Sequence, residues 1–289
     1  MTSVNKIHIT GISRGREFSP NLEDNDGAIF HTVEENLCQM GYKVSTFCEK
    51  DFVKSSFKSD VIFDMARDSY VLNRLKELEK KGCLVINSAF GIESCIRKRM
   101  TELLLEHHIP HPKSFIIPTA LDSVKQDWIY PCWVKRGDSH AMVKQDVSYA
   151  SKSEEALEIL KDFKKRNIHT AVINEHLTGD LVKFYGVQGT GFFTWYYSSP
   201  DSHSKFGLEA INGKAKGLAF DASELQHYTD EASLVLGVPV YGGDCVITAP
   251  GQMKIIDFND WPSFSRCRAE AGLNIAKYIH QSIKKRFEI

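Results

Sequence analysis

Asp244, Asp257 and Asn259 are three hard oxygen donors within sixteen positions of one another near the C-terminal end of the chain. Asp244 sits beside one apolar run, and Asp257 and Asn259 lie inside and just after another. A carboxylate beside buried apolar residues is costly unless it is paired or bound to a cation. Asp257 and Asn259 are two apart, so on a strand both project to one face. Ala249, Pro250 and Gly251 have the composition of a hairpin turn that would lay the strand of Asp244 alongside. Three oxygen ligands would then converge, which suits magnesium better than zinc. Magnesium held by few carboxylates completes its coordination with nucleotide phosphates, so the expected chemistry uses ATP and one or two Mg2+ ions, with Mn2+ able to substitute. The competing reading leaves both aspartates on a water-facing edge strand, with Asn259 as a turn cap.

Three further segments bear on the same chemistry. Lys135 ends an apolar stretch at 131–135, and a small-residue loop, 137–143, follows it. A lysine there can reach nucleotide phosphates while loop amides cover the others. The sequence lacks GxxxxGK[ST], so this is no Walker loop. An apolar stretch at 171–177 leads to a polar link, with Asp180 and Lys183 beyond, whose backbone could meet an adenine edge. Arg97, Lys98 and Arg99 place cations on a helix. Taken singly, each segment is also read as a surface lysine, an ordinary strand–turn–strand or a solvated helix face.

Elements able to position these residues are visible in the patterning. Strands are expected at 6–10, 42–47, 60–65 and 83–87. Helices alternate with them at 28–40, capped by Asp24 or Asp26, and at 69–81, a spacing that argues for a parallel sheet. A helix at 91–108 follows, then strands at 114–117 and 131–135, a helix at 153–165 and a strand at 171–177. Strands at 182–188 and 192–197, a helix at 223–236, the paired strands carrying the aspartates and a helix at 270–285 complete the chain. Loops 199–206 and 211–217 are the segments expected to move.

The chain has 289 residues, enough for two or three subdomains, with 36 basic and 37 acidic side chains. That balance gives no reason to expect nucleic acid or an anionic membrane. No apolar run approaches the roughly 20 residues that span a bilayer, and the N-terminus lacks the apolar core of a signal peptide. The seven cysteines form no metal spacing and read as buried, reduced thiols of a cytoplasmic protein.

In their order and spacing over roughly residues 85–280, these segments resemble the ATP-grasp superfamily, including glutathione synthetase-like and ribosomal-protein glutamate ligase-like enzymes. The resemblance implies an α/β fold: an N-terminal parallel α/β domain (1–90), then two α+β subdomains that clamp ATP, a central lid (91–178) and a C-terminal unit with the metal site (179–289). Arg97, with Lys98 as a one-residue alternative, matches the first phosphate-binding cation, and Lys135 the second. Residues 137–143 match the lid loop. Glu175 and Leu177 match the adenine contacts, Asp180 a ribose contact and Lys183 the basic residue of the next strand. Asp244, Asp257 and Asn259 match the metal triad.

Many peptide-forming members carry Glu where this chain has Asp257, and Asp there resembles the inositol trisphosphate kinase branch. Residues 261–268 also depart from the glycine-containing loop common in D-alanine and glutamate ligases. The resemblance therefore implies a carboxylate–amine ligase acting on a small acid or peptide through an acylphosphate, with an inositol phosphate-type kinase as the alternative. A non-catalytic ATP sensor is a third reading. Arg266 and Arg268 are expected to bind an anionic acceptor, the loop 11–16 to touch substrate and His140 to touch phosphate, with His176 structural. A homodimer is common in the family, and the sequence leaves the oligomeric state open.

Overall fold

The computed structural model describes residues 7–19, 23–54, 59–121, 128–198, 211 and 213–288. Its first unit is a parallel sheet in the order β2-β1-β3-β4, formed by β1 (His8–Ser13), β2 (Lys43–Cys48), β3 (Val61–Asp64) and β4 (Leu84–Ile86). All four residues of β3 are buried, as expected of a central parallel strand covered on both faces. One face takes α1 (Glu23–Gln39) together with α8 (Arg268–Phe287) from the far end of the chain. Ile29, Val33 and Leu37 on α1 repeat every four residues, as do Ile275, Ile279 and Ile283 on α8, and all six sit in one core. Each such side chain contributes about 1.5–3 kcal/mol on burial. The other face is covered by residues of α2 (Glu49–Lys54), α3 (Ser69–Lys80) and α4 (Ala89–Ser94).

The second sheet is antiparallel, β5-β8-β6-β7, from β5 (Ser114–Pro118), β6 (Cys132–Arg136), β7 (Val147–Ala150) and β8 (Thr170–Glu175), with α6 (Ser153–Lys165) packed on it. The third is β10-β9-β11-β12, also antiparallel, from β9 (Asp180–Val187), β10 (Phe192–Tyr197), β11 (Val240–Thr248) and β12 (Gln252–Asp260). Its core includes residues of α5 (Arg97–Glu106) and α7 (Ala222–Leu236).

Several sequence expectations shift. The helix expected at 91–108 is two helices, α4 and α5, divided at Cys95 and Ile96. Both Asp24 and Asp26 lie inside the first turn of α1 and neither precedes it; Asp26 is buried and accepts from Arg14 and Ser19. Of the seven free thiols only Cys95, Cys132 and Cys245 are buried, whereas Cys38 and Cys48 are exposed. The loop 199–206, and Asn212 within 211–217, lie outside the described residues. Among the described residues no helix is long and apolar enough to cross a membrane.

Asp64, the last residue of β3, is fully buried; one carboxyl oxygen accepts from the Ala66 amide and the other has no partner. Burial, reinforced by the nearby Asp260 and Glu79 carboxylates, pushes its carboxyl well above the usual range. A group with a raised folded-state pKa keeps its proton in the folded protein after the unfolded chain has lost it, so stability falls as pH rises. Asp64→Asn should therefore lessen the loss of stability between pH 5 and pH 8, read as the difference in urea midpoints at the two pH values.

Candidate active site

One cavity of about 570 Å3 lies where the three sheets meet. The parallel sheet presents the carboxyl ends of its strands to it, the usual place for ligands in such sheets. Arg14 follows β1 and Arg67 follows β3, and both line the cavity. The second sheet contributes Lys135 from β6 and Glu175 from β8, and the third contributes Lys183, Asp244, Asp257 and Asn259.

The metal-type residues are placed by the hairpin that Ala249–Gly251 turns. Gly251 has φ +93°, a left-handed conformation that glycine adopts without a Cβ penalty, and its amide donates to the Thr248 carbonyl. The register sets Asp244 opposite Asp257 on one side and opposite Lys183 on the other. A row of charge thus crosses three strands. Between Asp244 and Cys245 the register slips, so Asp257 and Ile255 have partners while Ile256 is bulged out. The Ile256 carbonyl then accepts from Lys135 Nζ at 3.1 Å. A bulge beside a functional cluster often re-aims groups in this way. Asn259 Nδ2 donates to Asp257 Oδ2 at 3.3 Å.

Three cations surround the pair of aspartates. Lys183 Nζ is 3.0 Å from Asp244 and Arg97 Nη2 is 3.1 Å from Asp257. Arg97 is 8 % exposed, and its Nε and Nη1 have no partner, so two buried donors await an acceptor. Lys98 instead turns outward, half exposed, toward Glu102. Burial, and then the Arg97 cation, lowers the Lys135 ammonium to about 8 against the opposing pull of Asp257 and Asp244. Burial would raise the Asp257 carboxyl, but Arg97 and Lys135 hold it below its usual value.

Among the described residues no group of three or more His, Cys, Asp or Glu side chains is placed to hold a metal. A cation here would rest on two carboxylates and one amide oxygen. Oxygen donors alone, on one sheet face beside unpartnered guanidinium N–H groups, fit magnesium shared with phosphates.

Val147, Leu177, Leu181 and Val246 supply apolar wall. Glu175 is fixed beside them because its Oε1 accepts from the Lys113 amide. His140 lines the cavity within the loop 137–143. His176 does not; its Nδ1 accepts from Trp133 Nε1 at 3.2 Å and its ring meets Tyr149 edge-on.

At the opposite end Arg14 donates to Asp26 and to the carbonyls of Met65 and Trp261. Arg67 pairs with Asp260, both side chains nearly or wholly buried. Arg266 lies over the Tyr196 ring at 4.1 Å. Two expected site residues are not brought here. Both Asp180 oxygens accept backbone amides, those of Lys216 and Leu218, so its carboxylate anchors a loop. Arg268 donates to Asn25 at the start of α1 and α8. Arg67 and Asp260 were not singled out from the sequence, although Arg67 follows a buried strand, the position from which parallel sheets present ligand-facing residues.

No family model and no curated protein matches the sequence. Solved structures do match. D-alanine–D-alanine ligase from Bacillus anthracis, complexed with ATP, has a TM-score of 0.72 at 14 % identity, covering 98 % of this chain and 99 % of that one. D-alanyl-alanine synthetase A from Vibrio cholerae O1 biovar eltor gives 0.70 at 12 %, covering 99 % and 100 %. The D-alanine–D-alanine ligase from Coxiella burnetii gives 0.66 at 13 %, covering 98 % and 97 %. At these identities the likeness establishes the fold, end to end.

Proposed function

We propose that this chain, whose fold is the ATP-grasp fold, is an ATP- and magnesium-dependent carboxylate–amine ligase acting on a small acid or peptide. The observation that carries the reading is the gathering of Arg97, Lys135 and Lys183 around Asp244, Asp257 and Asn259 in one cavity. Asp244, Asp257 and Asn259 would hold magnesium, which would supply positive charge to offset that of the phosphates. Glu175 and Leu177 would meet adenine, while Arg97, Lys135 and Lys183 take the charge that develops on the γ-phosphoryl group. The substrate carboxylate attacks that phosphorus, giving ADP and an acylphosphate. The amine then attacks the acyl carbon, and phosphate leaves. The loop 137–143, with His140, would exclude water from the acylphosphate. The division at residues 1–90, 91–178 and 179–289, and a cytoplasmic setting, belong to the same reading.

Charge at the far end favours a ligase over a kinase for polyphosphorylated substrates. Three guanidiniums, of Arg14, Arg67 and Arg266, face two carboxylates, of Asp26 and Asp260. One net positive charge suits a carboxylate better than several phosphates. The test is a screen of acid, amine and polyol pools for ADP release, with mass spectrometry of the product. Free phosphate and a new amide support the ligase; a phosphorylated polyol would replace it with the kinase.

Gly243 tests the role of the hairpin. A Cβ there would meet the Asp257 carbonyl oxygen at 2.2 Å, so the two strands must part at the triad. Gly243→Ala should reduce ADP release about 100-fold, since a misplacement near 1 Å costs that much. Wild-type turnover in a folded variant would separate the triad's geometry from the chemistry.

A further inference from the structure

We propose that Asp146 is a positioning residue that holds the loop 137–143 over the nucleotide phosphates; the inference rests on the nucleotide reading above. Asp146 closes the short turn Lys144–Asp146 after that loop and is fully buried. One carboxylate oxygen accepts from the Met142 amide at 2.7 Å, the Val143 amide at 3.1 Å and Arg136 Nη1 at 3.3 Å. The other accepts from Arg166, the residue that ends α6. A buried carboxylate is costly unless it is both paired and hydrogen-bonded, and this one is both. It joins the end of the loop to β6 and to α6 at once.

The start of the loop is fixed independently. The Gly137 amide donates to the Thr170 carbonyl at 2.8 Å, and the Gly137 carbonyl accepts from the Lys98 amide at 3.0 Å. Lys98 is the neighbour of Arg97, so this end is tied to the helix carrying a phosphate-facing cation. Between the two fixed ends lie residues 138–141, of which Ser139, His140 and Ala141 line the cavity. Asp138 within the span is also held, by Arg136 Nε at 2.9 Å, and Asp146 anchors the end that follows the span.

Asp146→Asn keeps the shape and one acceptor oxygen, but it turns an amide donor toward either Arg166 or the loop amides. The charge-assisted bonds are lost, and the end of the loop is freed. Arg166→Gln removes only the outer partner, whose side chain is 30 % exposed.

The test compares limited trypsin cleavage at the exposed Lys144 with cleavage at the exposed Lys284 of α8, with and without Mg-AMP-PNP. Without nucleotide, Asp146→Asn should speed the Lys144 cut about tenfold relative to Lys284, the factor that one charge-assisted bond is worth. Arg166→Gln should speed it less, about threefold. Mg-AMP-PNP should protect the wild type, and its affinity should fall about tenfold in Asp146→Asn, a change that a purely structural role would not produce. Equal Lys144 cleavage in wild type and Asp146→Asn overturns the inference, whatever the nucleotide does. A wild type that nucleotide never protects refutes the nucleotide reading instead, and the cleavage rates without nucleotide still judge the anchor. If Asp146→Asn is cut everywhere, the protein has lost its fold and Arg166→Gln decides by the same ratio.

Discussion

Asp257→Ala should reduce ADP release by about 1,000-fold, the scale of losing one preorganised stabiliser of transition-state charge. Asp257 lies opposite Asp244 on β11, accepts from Asn259 and pairs with Arg97, so it is the hub of the cluster. Its loss also leaves Arg97 and Lys135 buried without their nearest anion. Removing one partner of a fully buried pair costs about 3–5 kcal/mol. The Asp257 side chain is 28 % exposed, so about 1–3 kcal/mol is expected once solvent screening is allowed for. Phosphate oxygens can replace that anion, so nucleotide should stabilise the variant against urea more than it stabilises the wild type. Asp257→Asn keeps the shape and removes the charge, so it should show both effects if they come from the lost anion and not from a cavity. Full turnover in an Asp257→Ala, Asn259→Ala double variant would sink both the ligase and the kinase readings.

What the sequence made legible was local. The hairpin at 249–251 needed only a turn composition and two flanking apolar runs, and its strands pair as the alternation required. The helix at 153–165 and the strand at 192–197 fall on the expected residues. Helix α2 and strand β7, at six and four residues, are shorter than the window in which a period can be read. The helix expected at 91–108 carried an unbroken helical pattern, and its interruption at 95–96 comes from packing: α4 lies with the parallel sheet and α5 with the third sheet.

The site divides along the same line. Arg97, Lys135, Lys183 and the triad each end or punctuate an apolar strand or helix, a mark visible in one dimension. Asp180 carries the same mark at the start of β9, yet its carboxylate turns to backbone 36 and 38 positions away. At the far end Arg67 follows β3 and Asp260 ends β12, but nothing in one dimension marks them as partners. Arg67 meets Asp260 across 193 positions and Arg14 meets the Trp261 carbonyl across 247. Only the return of β12 to the parallel sheet brings them together.

Those pairs carry the largest expected effect on stability. Arg67→Met should cost about 3–5 kcal/mol, because the partner Asp260 is wholly buried and would keep an uncompensated charge. For a chain of 289 residues that is a fall in melting temperature of about 5–8 °C. Arg67 also donates to the Asp260 carbonyl, so the end of β12, one residue past Asn259, loses two supports together. Burial works to lower the Arg67 pKa, but Asp260 outweighs it and the guanidinium is held above its usual value. Arg14, by contrast, is lowered by burial and by the Arg67 charge. The two guanidiniums repel, and Asp26 and Asp260 keep them in place. Asp260→Ala should therefore cost more than Arg67→Met, since it leaves Arg14 and Arg67 facing one another with Asp26 alone. Pairing Arg67→Met with Asp260→Asn should recover most of the loss, because no buried charge is then left without a partner. Urea unfolding of Arg67→Met, of Asp260→Asn and of their double closes the cycle. A coupling below about 0.5 kcal/mol, the level at which distant sites merely add, would show that the pair does not hold the parallel sheet to the triad strand.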